Sequence, residues 1–155
     1  MIAILYSSGL RVSELCRLRY CDISRSRMMV YVSKSKNRCD RYAILSLKAL
    51  DILTQYWLSY GKPKEWLFPG QKEGSHVVTF TVNQAIKHQL KRIGWNRDFN
   101  CHSFRHGFGL HLYESGADLM AIRDALGHKS LSSTTIYVSL GIGSGRKIVS
   151  PYDNE

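Results

Sequence analysis

Two arginines, two histidines and one tyrosine stand in an order suited to attack on a phosphodiester. Arg11 lies in Gly9-Leu10-Arg11-Val12-Ser13-Glu14-Leu15, and Arg105 ends His102-Ser103-Phe104-Arg105. His128 follows twenty-three residues later in Leu126-Gly127-His128, and Tyr137 nine residues after that in Thr134-Thr135-Ile136-Tyr137-Val138. A nucleophile approaching a phosphodiester meets negative charge, and the five-coordinate phosphorus that forms carries more of it on the non-bridging oxygens. Guanidinium groups suit this task, because they offer two parallel donors and keep their proton. A pair of them from separate segments can clamp both oxygens, an effect worth several kcal/mol in order of magnitude. A phenol can supply the attacking oxygen, although its ordinary pKa of about 10 means that it needs help. The departing 5′-oxygen then needs a proton donor, and a lysine near the scissile bond would serve.

Each residue also has an ordinary structural reading. An arginine after Gly-Leu is commonly a surface charge, an H-x-x-R pair arises by accident on basic helices, and Tyr137 among Thr135, Ile136 and Val138 suits the edge of a core. The order and spacing of the whole set favour chemistry. His102 and Arg105, three apart, share one helical face and can reach one phosphate. His128 follows a glycine helix stop, where a side chain projects from a turn.

The 155 residues make one domain's worth of chain, and a 44% hydrophobic content is enough for a core. Twenty-two basic residues against twelve acidic leave a net charge of +10, which points to a polyanionic partner, DNA or RNA. Basic residues from Arg11 to Arg41 alternate with apolar ones, as on a charged face built from structured elements. Cys16, Cys21, Cys39 and Cys101 form no C-x-x-C pair, so a zinc site is not expected; they read as reduced thiols, mostly interior. No apolar run reaches membrane-spanning length, and Met1 to Tyr6 lacks the flanks of a signal peptide. A cytoplasmic, nucleoid-associated protein is expected.

The elements that must position these groups follow from periodicity and stop signals. Residues 1 to 6 read as a helix end broken by Ser7-Ser8-Gly9. A short helix carries Val12, Leu15 and Leu18 at spacings of three. Met28 to Val32 and Arg41 to Ser46 read as an antiparallel pair joined by a polar segment. Leu47 to Tyr60 is amphipathic, with Leu50, Leu53, Trp57 and Leu58 assigned inward, and Gly61 and Pro63 end it. Trp66 to Gly70 is a short extended piece before an exposed loop. Thr79 to Ile93 predicts a helix with Val82, Ile86, Leu90 and Ile93 inward and Lys87, Lys91 and Arg92 outward. Three helices follow: His102 to Ser115, Asp118 to Leu126, and a piece holding Tyr137 capped by Ser132 or Ser133. The fold class is α+β, mainly α, with a small antiparallel sheet.

Five stretches together resemble the catalytic domain of the tyrosine recombinases, the phage integrase family, in the style of its Xer-like and integron-type members. They are Leu5 to Leu15, the Lys36 to Arg41 hairpin, Cys101-His102-Ser103-Phe104-Arg105-His106, Gly116-Ala117-Asp118-Leu119, and Leu126-Gly127-His128-Lys129-Ser130 through Tyr137. The resemblance implies the DNA breaking-rejoining catalytic fold over residues 1–140, starting late within that domain and without the family's N-terminal DNA-binding domain, followed by a tail over 141–155. It implies that Arg11 and Arg105 clamp the phosphate, that His102 serves in proton transfer, and that His128 bonds a phosphate oxygen. Tyr137 would form the 3′-phosphotyrosyl bond. The acid for the 5′-hydroxyl would be Lys36, by the pattern K-x-x-K-x-R counted back from Arg41, with Lys34 the alternative; His106 would be structural support. Cys39 stands where a second lysine is common, and Val138-Ser139 where Thr-His is frequent. The implied reaction is transesterification of double-stranded DNA with no metal or nucleotide cofactor, completed through a Holliday junction in a tetramer on DNA, either a homotetramer or one shared with a related recombinase. Two other readings remain: a non-catalytic DNA-binding remnant, and a type IB topoisomerase-like enzyme, the latter disfavoured by the pattern from Leu126 to Tyr137.

Overall fold

The computed structural model describes residues 1–33, 40–95 and 99–140. Lys34 and Lys36, and the tail over 141–155, lie outside the described residues. The chain runs α1 (Ile2–Ser8), α2 (Val12–Cys16), β1 (Ile23–Ser24), β2 (Met29–Val32), β3 (Arg41–Ile44), α3 (Leu47–Ser59), α4 (Thr79–Arg92), α5 (Cys101–Glu114), α6 (Leu119–Leu126) and α7 (Ile136–Leu140), with short 3-10 turns at Tyr20–Asp22 and Leu131–Ser133. The expected class holds: mostly helix, with one small antiparallel sheet.

The sheet has the order β1-β2-β3. Val30 pairs with Ala43 and Tyr31 with Tyr42. Side chains alternate across a strand, so Val30, Val32 and Ala43 face the core while the Tyr31 and Tyr42 rings meet on the other side, 5.5 Å apart. The two-residue β1 was not foreseen. It is too short to show a period and exists through its pairing with Met29 and Val30.

The caps explain most helix boundaries. Ser46 accepts from the Ala49 amide at the start of α3, and Asn100 accepts from the amides of His102 and Ser103 at the start of α5. Asp118 accepts from Met120 and Ala121 at the start of α6. Each such oxygen satisfies helix donors that would otherwise have no partner, and is worth about 1 kcal/mol. Ser130 caps the 3-10 turn ahead of α7, its side chain accepting from the Ser132 amide, and Ser132 and Ser133, expected as caps of the piece holding Tyr137, lie inside that turn.

A larger core gathers α1, α2, the sheet, α3 and α4 around Ile4, Leu5, Leu15, Val30, Leu67 and Val82. A smaller one joins Phe108, Tyr113, Ile122, Leu126 and Tyr137. Two expected core residues are out: Leu58 is 56% exposed and Ile93 73%. The buried side of α3 is set by Ala49 and Leu53, and Leu58 lies five residues beyond Leu53, about 140° off that stripe. Ile93 is the C-cap of α4, where the helical rotation has ended. Lys87, Lys91 and Arg92 are exposed as expected. Cys16 and Cys101 are buried, whereas Cys21 is exposed. No helix among the described residues is long and apolar enough to cross a membrane.

Candidate active site

Arg105 projects from α5 and is 1% exposed. Its Nη1 donates to the Gly9 carbonyl at 2.6 Å and its Nη2 to the Leu126 carbonyl at 2.5 Å. One guanidinium therefore joins the turn before Arg11 to the turn before His128. Both turns depend on glycine. Gly9 sits at φ 58°, and a Cβ there would lie 2.4 Å from the Phe108 ring. Gly127 sits at φ 63°, and a Cβ there would lie 2.5 Å from Cδ of Arg41. Left-handed backbone with no room for a side chain leaves glycine as the fitting residue. Burial, with Arg11 nearby, pushes the Arg105 guanidinium down to about 9, which leaves it cationic at neutral pH.

Arg11 caps α2 beside this group. Its Nη1 donates to Glu14 at 2.9 Å, and its Nη2 makes a long contact with the Gly127 carbonyl at 3.4 Å. Glu14 also accepts from the Arg11 amide and, at 3.0 Å, from Nη2 of Arg41. Burial alone would raise the Glu14 carboxyl, but Arg41 and then Arg11 outweigh it and hold the group below its ordinary value. Arg41 at the start of β3 donates in addition to the Ala125 carbonyl at 3.0 Å. This acid and its two cations bind the base of the hairpin to α2 and to the end of α6.

His128 lies just past Gly127, and its Nδ1 is 2.9 Å from the Thr134 hydroxyl. Burial first, then the positive charge of Arg105 and Arg11, pushes its imidazole down to about 4. His102, on the first turn of α5, is exposed, and its ring meets His106 edge-on at 4.4 Å. Burial lowers it as well, with His106, Arg105 and Arg11 adding to the shift. The His106 ring lies 6.3 Å from that of Tyr137, and its buried Nδ1 has no hydrogen-bond partner among the described residues.

Tyr137 is 1% exposed and belongs to the smaller core. Its ring lies directly over Gly109 of α5, where a Cβ would stand 2.4 Å from Cζ and 2.7 Å from the phenolic oxygen. Burial raises the phenol, and Arg105 offsets part of the rise. The tyrosine is thus held against its own chain.

Five of the six residues singled out from sequence are brought into one cluster: Arg11, His102, Arg105, His128 and Tyr137. Lys36 and its alternative Lys34 lie outside the described residues. Sequence reasoning missed Glu14 as the bridge between two arginines, Arg41 as an anchor, Gly109 as the floor beneath Tyr137, and Thr134 as the partner of His128. Glu14 was visible three positions after Arg11, a capping distance; the other three depend on contacts between distant segments. Among the described residues no group of His, Cys, Asp and Glu is arranged to hold a metal ion.

Residues 1–141 match the model of the phage integrase family. A Sinorhizobium fredii protein named as an integrase/recombinase is 41% identical over 150 residues, covering 96% of this chain and 48% of its own length. A tyrosine recombinase of Thermosipho africanus is 37% identical over 137 residues, covering 88% and 47%. The crystal structure of the XerH site-specific recombinase, bound to its difH substrate before cleavage, superposes with a TM-score of 0.76 at 26% identity, over 88% of this chain and 41% of that one. The chain thus spans about half the length of the curated relatives it matches.

Proposed function

The chain belongs to the phage integrase family, and from that premise we propose that it is the catalytic portion of a tyrosine-type site-specific recombinase, acting on double-stranded DNA. Tyr137 attacks the scissile phosphorus, forming a 3′-phosphotyrosyl bond as the bond to the 5′-oxygen breaks. Arg11 and Arg105 hold the two non-bridging oxygens, where charge grows. His102 exchanges the phenolic proton, and His128 donates to a phosphate oxygen. Lys36, or Lys34, delivers a proton to the departing 5′-hydroxyl. The phosphotyrosine retains the energy of the broken bond, so a second 5′-hydroxyl reseals the strand and the enzyme returns unchanged. Residues 1–140 carry this chemistry, and a homotetramer on DNA pairs the exchanges. The cytoplasmic nucleoid is where such a protein works.

One observation carries the reading. Arg105 ties the turn that presents Arg11 to the turn that presents His128, and the helix bearing Arg105 also seats Tyr137. A buried cation beside a phenol is costly in a purely structural role and useful in phosphoryl transfer. The net charge of +10 supplies the long-range attraction to a polyanion.

The test is covalent capture. The chain is incubated with a pool of nicked duplexes carrying randomised inverted repeats, and adducts are separated under denaturing conditions. An adduct that is abolished in Tyr137→Phe supports the proposal. An adduct that persists in that variant removes Tyr137 from its role. Duplex binding with no adduct from the unaltered chain supports a DNA-binding remnant instead.

A further inference from the structure

Thr134 is fully buried in a stretch where its neighbours at 131–133, 135 and 136 are exposed. Its side chain reaches one polar partner among the described residues, Nδ1 of His128 at 2.9 Å. Its backbone is engaged as well: the Thr134 amide donates to Leu131 at 2.7 Å, and its carbonyl accepts from the Tyr137 amide at 3.1 Å. One residue therefore touches the imidazole with its hydroxyl and starts the turn of the tyrosine with its carbonyl.

A hydroxyl can donate one proton, and a neutral imidazole has one nitrogen that donates and one that accepts. With no other acceptor for the Thr134 proton among the described residues, the bond satisfies both groups when the hydroxyl donates and Nδ1 accepts. We propose that Thr134 is a positioning residue that fixes His128 as the Nε2–H tautomer, so that Nε2 is the donor offered to a phosphate oxygen. The assignment rests on the recombinase reading for its purpose, though not for its geometry.

The surroundings favour a neutral ring. Burial disfavours the charged ring most, and the positive field of Arg105, Arg11, His106 and Arg41 adds to it. A neutral imidazole donates through one nitrogen alone, so the location of the single proton decides whether His128 can bond a phosphate. If Nδ1 carried it, Nε2 would present a lone pair to an anion. Fixing the tautomer from the second nitrogen is an established device of imidazole chemistry.

The experiment is long-range proton–nitrogen NMR of the full chain with labelled histidine, His128 being assigned through its loss in His128→Asn. The expected spectrum has His128 protonated at Nε2 alone, with Nδ1 shifted as a hydrogen-bonded acceptor. Thr134→Val keeps the shape and removes the hydroxyl, and should yield a tautomer mixture; Thr134→Ser should restore the single form. In covalent capture at saturating DNA, Thr134→Val should slow adduct formation about tenfold, the scale of one lost hydrogen bond, with affinity unchanged within about twofold. Thr134→Ser should stay within about twofold of the original rate. A wild-type His128 protonated at Nδ1 overturns the proposal without any variant. So does a Thr134→Val protein whose His128 spectrum and adduct rate are both unchanged. A wild-type chain that forms no adduct counts against the recombinase reading, while the spectra still decide Thr134.

Discussion

The two cores divide the labour unequally. The larger one is built from aliphatic side chains such as Ile4, Leu15, Val30 and Val82, none of which could take part in phosphoryl transfer. The smaller one contains Tyr137 itself, packed with Phe108, Ile122 and Leu126. In the first region support and chemistry are separate: the core holds α2 and the sheet, and these present Arg11 and Arg41 at their ends. In the second they coincide, because the phenol ring fills core volume and its oxygen is the proposed nucleophile. Damage to the first core should therefore reach function only by unfolding, whereas damage to the second should reach function directly.

The sharpest break between the two uses of Tyr137 is Tyr137→Phe. It keeps the ring over Gly109 and removes the oxygen, so covalent capture should fall to nothing while urea unfolding shifts by less than about 1 kcal/mol. A large stability loss in this variant would mean that the hydroxyl is a structural group. Truncating the ring in Tyr137→Ala should add an unfolding loss of about 3–5 kcal/mol, as for other buried aromatics. Gly109→Ala should push α7 away, since the new carbon would overlap the Tyr137 ring. We expect about 1–3 kcal/mol of destabilisation and a marked drop in adduct formation, with duplex binding intact by gel shift.

Val82→Ala tests the other side of the comparison. It should cost about 1–3 kcal/mol by urea titration, yet leave the adduct rate per folded molecule unchanged. If that rate falls as it does in Gly109→Ala, the two cores are not independent.

The smallest effect concerns acid. The His128 imidazole lies near 4 when folded and near 6.5 when free, so the unfolded chain binds more protons between these values. Stability is then full above about pH 6.5 and declines as pH falls towards 4. Melting temperature should drop over that window by an amount that His128→Gln reduces by roughly 2–4 °C. Glu14 shifts in the same direction, its folded carboxyl lying below its ordinary value, so its contribution is present above pH 4.5 and is lost only below it. The two groups separate on the pH axis.

Much of this arrangement was legible in the chain, for identifiable reasons. The Asp118 cap and the Gly127 stop bracket α6 because capping chemistry is local, and Val82, Ile86 and Leu90 mark one face of α4 because a helix repeats its environment. Local rules failed where the determinant was remote. β1 needs its partner strand, Ile93 sits where the helix has ended, and nothing near Leu58 shows that the inward stripe runs through Ala49 and Leu53. The site followed the same division. Motif order gathered Arg11, His102, Arg105, His128 and Tyr137. The Glu14–Arg41 bridge spans twenty-seven positions, and the need for Gly109 arises only once Tyr137 lies on it, so neither is written in a spacing.

The burial of Arg105 has a consequence for ionic strength. Exposed cations such as Arg17, Arg19 and Arg25 lose their reach once the Debye length shortens to about 3 Å near 1 M salt. Mobile counterions gather less around a guanidinium that two peptide oxygens already hold. Raising the salt should then weaken capture of the duplex steeply, while the turnover of each complex already formed hardly changes.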